Sequence, residues 1–527
     1  MTADKNANNG LLAPKAGISY LAHQEVGIRW MMDREAVDAP VCRGGVLGDD
    51  MGLGKTFQCI GLLKNSPLNL KTLIVCPPAL VAGWTEELEA CGYFVSTMLS
   101  GGGWTSDLPA SRVTDRTIVW LTTYPKMSMY HMKIARAGAA FGRIVLDEGH
   151  AIRNGRKTSR WQHAMKVGTR AECRWILSAT PVQNGLDDWK NLCWWLRTKC
   201  RAGDFETLSD TIMLRRTMAE LRGSIAALPP AARFINHDLR IPEGCAEGRL
   251  FQTLCNQLES VIDSRSVSAL IKLELYLRIQ QFLVHPQVYV ESMRSKFGRA
   301  YPRPDWAGTA TKWNAVMAEL EKGVKESVGQ IVFCNFRQEI DMACEAATSM
   351  GAEVFAIRGG MGVEKVGAAV KDARSACAEG KPVVIVVQIV SGGVGLNLQF
   401  CKRILFLSQH WNPAVVHQAV GRAVRIGQQS RVEVHTFRVI DDVMDNMDRK
   451  MVETHQRKID DARELCASLY EGYEPLDEAM EAFDCTSTST GDSTGSALEI
   501  VRKAVASAGS DDGRTAVTAE EDPVSPL

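Results

Sequence analysis

Two glycines, a lysine and a threonine in the run Gly52-Leu53-Gly54-Lys55-Thr56 form the most chemically explicit stretch of the chain. A short apolar segment, Gly45-Val46-Leu47, precedes it, and a helix-permissive run, Phe57 to Leu63, follows. A strand, a glycine turn and a helix in that order make a phosphate-binding loop. Gly52 and Gly54 let the backbone wrap an anion so that successive N–H groups point inward, and the next helix turns its positive end to the same place. Lys55 is expected to reach the β- and γ-phosphates, and the Thr56 hydroxyl to hold Mg²⁺. Asp49 stands where the strict pattern has its first glycine, and it is counted with Leu53 among the loop residues.

Three further groups carry chemistry. In Arg143-Ile144-Val145-Leu146-Asp147-Glu148-Gly149-His150 an apolar strand delivers two carboxylates at its C-terminal end, where parallel sheets bind ligands. Asp147 is suited to bind Mg²⁺ and Glu148 to orient and deprotonate an attacking water. Taken alone, the pair is equally an acidic turn ending a strand. Trp175-Ile176-Leu177-Ser178-Ala179-Thr180-Pro181-Val182-Gln183-Asn184 ends another strand in small hydroxyl residues that can sense a γ-phosphate, or simply turn before Pro181. In Gly421-Arg422-Ala423-Val424-Arg425, two arginines three apart fall on one helical face. Across a cleft from the loop they could stabilise a transferring phosphoryl group; a basic face meeting solvent or DNA phosphates is the alternative.

These groups need strands to present them. Short β-rich runs stand at Thr72–Cys76, Thr117–Leu121, Arg143–Leu146 and Arg174–Leu177, with helical segments between, which predicts a parallel sheet covered by helices. From Leu186 to about Asp305 apolar residues recur at three- and four-residue spacing and strand signals are sparse, so this stretch reads as helical. Alternation returns at Gln330–Cys334, Glu353–Ile357, Val383–Val387, Arg403–Leu407 and Val432–Phe437, a second α/β domain without a phosphate loop of its own. The expected organisation is a flexible lead over 1–16, a first α/β lobe over 17–225, a helical insertion and linker over 226–305, a second lobe over 306–465 and a disordered acidic tail over 466–527.

Composition narrows the class. The 61 basic and 61 acidic residues cancel, but the tail from Cys466 holds 13 acidic and 3 basic, leaving the body with a net charge of +10. A basic body suits a polyanionic partner. No run of 18 apolar residues exists to span a membrane, and Met1–Gly10 lacks the apolar core of a signal peptide. The 15 cysteines form no Cys-x-x-Cys pair, which points to reduced thiols rather than disulfides or a zinc domain.

In order and wording these blocks resemble the Swi/Snf-type branch of the superfamily-two helicase-like ATPases, most closely the branch containing DNA-damage-tolerance ubiquitin ligases. Leu214-Arg215-Arg216-Thr217, Leu228-Pro229, Arg278 to His285-Pro286, Thr311-Lys312-Trp313, Ser391 to Leu398 and Trp411-Asn412-Pro413 extend the match over about residues 20–440. No cysteine–histidine RING cluster is present, so ligase activity does not carry over, and no histone-tail reader is expected. The resemblance implies two RecA-like lobes with ATP and Mg²⁺ between them. It assigns Gln24 to the adenine edge, Gly52, Gly54, Lys55 and Thr56 to the triphosphate and metal, Asp147 and Glu148 to metal and water, and Arg422 and Arg425 to the arginine fingers. Gly395 joins the nucleotide contacts. His150, Ser178, Thr180 and Gln183 fall to coupling. Thr122, Thr123, Tyr124, Asn335, Phe336, Ser391, Gly392 and Trp411 fall in blocks that touch the nucleic-acid backbone; core packing is the alternative for Phe336 and Trp411. The implied protein is a monomeric, DNA-dependent ATP hydrolase that translocates on double-stranded DNA through phosphate contacts and displaces nucleosomes or other bound proteins. It would work in a nucleus, or in a viral replication compartment if virus-encoded. A strand-separating helicase and a catalytically silent DNA-binding scaffold are the rivals.

Overall fold

Buried apolar runs of five or six residues set the framework, because only a strand covered on both faces can be apolar throughout. The computed structural model describes residues 10–440, apart from 16, 38–42, 69, 106–116, 137–140, 184–185, 199–204, 263–268, 299–302, 390–395, 409 and 411–412. Its strands are β1 (Arg43–Leu47), β2 (Thr72–Cys76), β3 (Phe94–Thr97), β4 (Ile118–Thr123), β5 (Arg143–Asp147), β6 (Cys173–Leu177), β7 (Met213–Leu214), β8 (Arg233–Leu239), β9 (Gln330–Cys334), β10 (Glu353–Ile357), β11 (Val383–Gln388), β12 (Arg403–Phe406) and β13 (Glu433–Val439). They form two sheets, ordered β3-β4-β2-β5-β6-β1-β7 and β10-β11-β9-β12-β13-β8. The first is parallel throughout, as is the second from β10 to β13. This is the two-lobed α/β architecture expected from the sequence.

Helices cover the first sheet: α1 (Ala22–Ala36), α2 (Lys55–Asn65), α3 (Val81–Ala90), α4 (Tyr124–Arg136), α5 (Ser159–Val167), α6 (Leu186–Trp195) and α7 (Phe205–Ile212), while α8 (Met218–Arg222) joins the apolar cluster of the second sheet. Next come α9 (Ala246–Ile262), α10 (Ala269–Val284), α11 (Pro286–Phe297) and α12 (Thr311–Lys325), and then α13 (Arg337–Ser349), α14 (Val363–Ala378) and α15 (Pro413–Val420) of the second sheet. Both sheets belong to one compact unit, and residues 239–313 form the main described part of another. That second unit is helical and closes on Leu250, Phe251, Leu254, Tyr276, Ile279 and Phe282.

Register places the chemistry. Asp147 and Leu47 both pair with Leu177, so β5, β6 and β1 end level and their following loops leave from the same edge. The three strands that no clear sequence signal marks, β3, β7 and β8, all lie at sheet edges. An edge strand is short or half exposed and lacks the continuous apolar run of a central one. Thus β8, inside the stretch expected to be helical, reads Arg-Phe-Ile-Asn-His-Asp-Leu and is partly exposed along its length, yet it joins the second sheet beside β13. Two side-chain pairs tie them, Asn236 with Thr436 and Asp238 with Arg438.

Among the described residues the cysteines form no disulfide, and most are buried. Among the described residues no helix is long and apolar enough to cross a membrane. The expected lead (1–16) and acidic tail (466–527) lie wholly or largely outside the described residues.

Candidate functional site

The loop between β1 and α2 is built on left-handed glycines. Gly52 and Gly54 have φ of +85° and +81°, a region costly for any residue with a side chain. Space is also lacking: a Cβ on Gly54 would lie 2.4 Å from Gln24 Nε2, and one on Gly52 2.9 Å from Arg425 Cα. Helix α2 then starts at Lys55, with Thr56 in its first turn. Lys55 Nζ donates to the main-chain oxygens of Asp49 (2.7 Å) and Asp50 (3.1 Å). Burial pulls its pKa down, while Glu148, Asp49, Asp50 and Asp147 pull it up. The ammonium thus rests on neutral carbonyls, a weaker counterpart than a phosphate.

Leu53 is fully buried and packs into the apolar cluster of the second sheet. Its carbonyl accepts from His23 Nε2 (2.9 Å) and Gln24 Nε2 (3.3 Å), so the His23 ring carries its proton on Nε2. Gln24 Oε1 takes the N–H of Leu21 at the head of α1. The glutamine expected to read the adenine edge is therefore fastened to the loop.

Asp49 turns its side chain into the protein. Both oxygens of this fully buried carboxylate are committed within the protein: Arg216 Nε donates to Oδ1 (2.9 Å), and Arg216 Nη2 and Gln58 Nε2 donate to Oδ2. The side chain is thus a brace for the loop, and a nucleotide contact from this position falls to its main chain. Asp50 is held likewise, accepting from Arg215 Nη2 (3.3 Å) and from the Met218 N–H (3.0 Å). Arg215 also donates to the carbonyls of Gly48 and Ala179, tying the phosphate loop to the turn after β6. These arginines appear in the sequence only as part of a block; their aspartate partners lie 165 and 167 residues away.

Asp147 and Glu148 follow at the end of β5. Asp147 Oδ2 accepts from Trp84 Nε1 (2.7 Å), Oδ1 from the Glu148 N–H (3.0 Å), and its main-chain oxygen from Tyr124 Oη (2.9 Å). Burial, then the neighbouring Glu148, pushes the Asp147 carboxyl up to about 7, against the pull of Trp84 and Lys55. Such a carboxylate gains from a cation. Glu148 adopts φ +50°, ψ +49°, a left-handed conformation that costs a residue with a side chain of order 1–3 kcal/mol. His150 Nδ1 approaches Glu148 Oε2 at 3.3 Å, but burial lowers the imidazole to about 4, so it is neutral and this is no ion pair. Glu148 Oε2 finds no hydrogen-bond partner among the described residues.

The residues expected to couple are brought together. His150 Nδ1 lies 3.0 Å from Ser178 Oγ, which accepts the Thr180 N–H (3.2 Å); Gln183 Nε2 donates to Thr180 Oγ1 (3.2 Å). The chain of contacts runs from the turn after β5 to the turn after β6.

Arg422 and Arg425 meet this site from the second sheet, although not from a helix as expected. Helix α15 stops at Val420, and residues 421–427 form successive tight turns. The Arg422 and Ala423 N–H groups reach back only three residues, to Ala419 and Val420. The chain passes close to the phosphate loop here: a Cβ on Gly421 would lie 3.0 Å from Met51 Cβ. Arg422 is buried; desolvation lowers its pKa to about 10, while Glu148 and Asp147 favour its charge. Its Nε has no hydrogen-bond partner among the described residues.

Several expected nucleic-acid contacts point inward. Thr122, Thr123 and Tyr124 are 2%, 7% and 4% exposed; Thr122 Oγ1 meets Met98 Sδ, and Tyr124 serves Asp147. They present no surface to a backbone, which corrects the expectation. Asn335 and Phe336 are half-buried, and their N–H groups are capped by Glu339 Oε2 at the start of α13. Ser391, Gly392, Gly395 and Trp411 lie outside the described residues.

A Mg²⁺-bound nucleoside triphosphate fits the residues present. The glycine cradle, the lysine on weak acceptors, and the unsatisfied Glu148 Oε2 and Arg422 Nε all face one chemistry. Among the described residues no group of three or more His, Cys, Asp or Glu could hold a metal by itself. Magnesium would draw its remaining ligands from phosphate and water, as it commonly does.

The SNF2-related domain matches residues 23–212, and the Helicase conserved C-terminal domain residues 311–427, together more than half of the chain. The protein belongs to the SNF2-related family of helicase-like proteins, the family of remodelling and repair ATPases. A "Probable global transactivator" of Orgyia pseudotsugata multicapsid polyhedrosis virus is 28% identical over 84% of this chain and 90% of its own length. A "DNA repair and recombination protein RAD54-like" of Drosophila ananassae is 22% identical over 77% of this chain, and "Transcription termination factor 2" of Drosophila melanogaster 21% over 81%. The chain spans 58% and 55% of those two relatives' lengths. Among solved structures, the "Sulfolobus solfataricus SWI2/SNF2 ATPase core in complex with dsDNA" matches with 20% identity and a TM-score of 0.36, over 90% of this chain and all of that one. At that score the likeness is loose, and the two-lobed fold rests on the sheets themselves.

Proposed function

We propose that the protein is an ATP hydrolase driven by double-stranded DNA, along which it translocates to displace or remodel bound protein. What carries the reading is the gathering at one place of Lys55, the Asp147–Glu148 pair and Arg422, contributed by two different sheets. Lys55 would leave its two carbonyls for the β- and γ-phosphates. Thr56 and Asp147 would hold Mg²⁺, which neutralises charge developing on the phosphates. Glu148, with a free carboxylate oxygen, would take a proton from the attacking water. Arg422 and Arg425 would stabilise the transferring phosphoryl group, already set in a water-poor site where charge counts for more. Hydrolysis removes the anion that both sheets grip, so the lobes loosen and regrip further along the duplex.

The DNA partner is read from the family and from the basic body of the chain, with contacts to phosphate that confer no sequence preference and weaken steeply with salt. The relatives' names span transactivation, repair with recombination, and transcription termination, and we place this chain's load among proteins bound to DNA. The proposed compartment is the nucleus, or the viral replication compartment if a virus encodes the chain. The test is the ATPase rate with no nucleic acid, duplex DNA, single-stranded DNA and RNA in parallel. Stimulation by duplex, abolished by Glu148→Gln with nucleotide binding retained, is expected. A rate indifferent to duplex refutes the reading.

A further inference from the structure

Asp147 is held from three directions, by groups that come from different elements. Trp84, 2% exposed on α3, sends its indole N–H to Oδ2 at 2.7 Å. The Glu148 N–H takes Oδ1 at 3.0 Å. Tyr124, the first residue of α4, sends its hydroxyl to the Asp147 main-chain oxygen at 2.9 Å. Each carboxylate oxygen has two lone-pair directions, and one on each is thereby assigned. One direction on each oxygen remains for a cation, and the two donors hold the carboxylate against rotation, as a metal requires of a ligand that must not swing. An indole N–H is a donor that cannot itself ligate a cation, so it can orient the carboxylate without competing for the ion. The bond to the main chain does different work, since it pins the strand end one residue before the left-handed Glu148.

Resting on the nucleotide-site reading above, we propose that Trp84 and Tyr124 are a pair of positioning residues with separable tasks: Trp84 aims the Asp147 carboxylate at the metal, and Tyr124 fixes the backbone from which Glu148 projects. Both rings are buried and would otherwise count only as core, Trp84 beside Leu88, Cys76 and Leu121, Tyr124 beside Met127 and Leu146. A core role alone predicts that replacing either ring by phenylalanine, which keeps an aromatic side chain and deletes the polar handle, leaves metal binding untouched.

The experiment titrates Mn²⁺ into the full-length protein with a non-hydrolysable ATP analogue and follows free Mn²⁺ by electron paramagnetic resonance. Trp84→Phe keeps an aromatic ring in place and removes the donor. Its Mn²⁺ affinity should fall about tenfold, the low end of what losing a partner of a metal ligand costs, with analogue affinity in EDTA unchanged. Mn²⁺ affinity within twofold of wild type overturns the Trp84 assignment. Tyr124→Phe should leave Mn²⁺ affinity in place and lower turnover about tenfold; unchanged turnover overturns the Tyr124 assignment. Should Trp84→Phe fail to fold, the wild-type indole ¹⁵N–H spectrum decides. One tryptophan resonance should broaden on adding Mn²⁺ with the analogue and keep its width in Asp147→Ala; no selective broadening overturns the proposal. Asp147→Ala also separates the two levels of the argument: if it binds Mn²⁺ as wild type does, the metal-site reading has failed, and not only the positioning role.

Discussion

Replacing Arg216 by alanine should do more harm to the phosphate loop than most changes within the loop itself. Asp49 is wholly buried, and Arg216 supplies two of the three donors that satisfy it. The same guanidinium reaches the His23 carbonyl and Gln58 Oε1, so it also links α1 to α2. With Arg216 gone, a carboxylate stays in the interior with one neutral amide for company. Breaking a buried pair on one side costs about 3–5 kcal/mol, because the surviving charge is uncompensated. At about 1.4 kcal/mol per factor of ten, local opening of the loop and the start of α2 should become more frequent by roughly two to three and a half orders of magnitude. Hydrogen exchange followed by mass spectrometry on peptides covering residues 45–60 reads that opening directly. Asp49→Asn in the Arg216→Ala background removes the stranded charge and should recover most of the lost protection. A loss of protection below about tenfold in Arg216→Ala, or no recovery in the double variant, would refute the argument that Asp49 is a brace held by this arginine.

Other expectations follow from the same site and from the far end of β5. Glu35 is buried and accepts from Arg143 Nε (2.6 Å), Ser66 Oγ and Trp175 Nε1 (2.9 Å each), so Glu35→Ala strands Arg143 and should cost about 3–5 kcal/mol, seen as a lowered first thermal transition. Asp147 has its folded pKa raised from 3.8 to about 7, so the folded chain takes up this proton first as pH falls and gains stability between pH 7 and 4. Asp147→Asn should therefore be more stable than wild type at pH 8 in EDTA, by up to about 4 kcal/mol, with the gap closing near pH 4; an equal gap at both pH values counts against the buried-charge account. His150, His285 and His435 are held by burial down to about 4, so the unfolded chain protonates first. The stability they contribute is present above pH 6.5 and lost as pH falls toward 4, which a urea series at pH 7, 6 and 5 would follow. Arg422→Ala should lower turnover about a thousandfold with analogue binding largely kept; loss of binding instead would assign it to the ground state.

Much of the site was legible in the chain because its parts are local. A glycine turn ending in Lys55-Thr56 and a strand ending in Asp147-Glu148 each lie within a dozen contiguous residues, and the apolar runs before them identify central strands wherever those strands are covered on both faces. The edges were not legible, since β3, β7 and β8 lack the apolar continuity that burial imposes. What only the tertiary structure decided is the choice of partner. Asp49 is placed in the phosphate loop by the sequence, but the guanidinium that holds its side chain comes 167 residues later. Tyr124 sits in a block expected to touch nucleic acid until its hydroxyl is seen to serve Asp147. Trp84 is one apolar residue in a helix until a carboxylate 63 residues away takes its N–H. Covalent neighbours determine what a loop or strand end can do, whereas a buried polar group must be satisfied by whatever the fold brings within 3 Å, and that is a property of the packed chain rather than of any stretch of it.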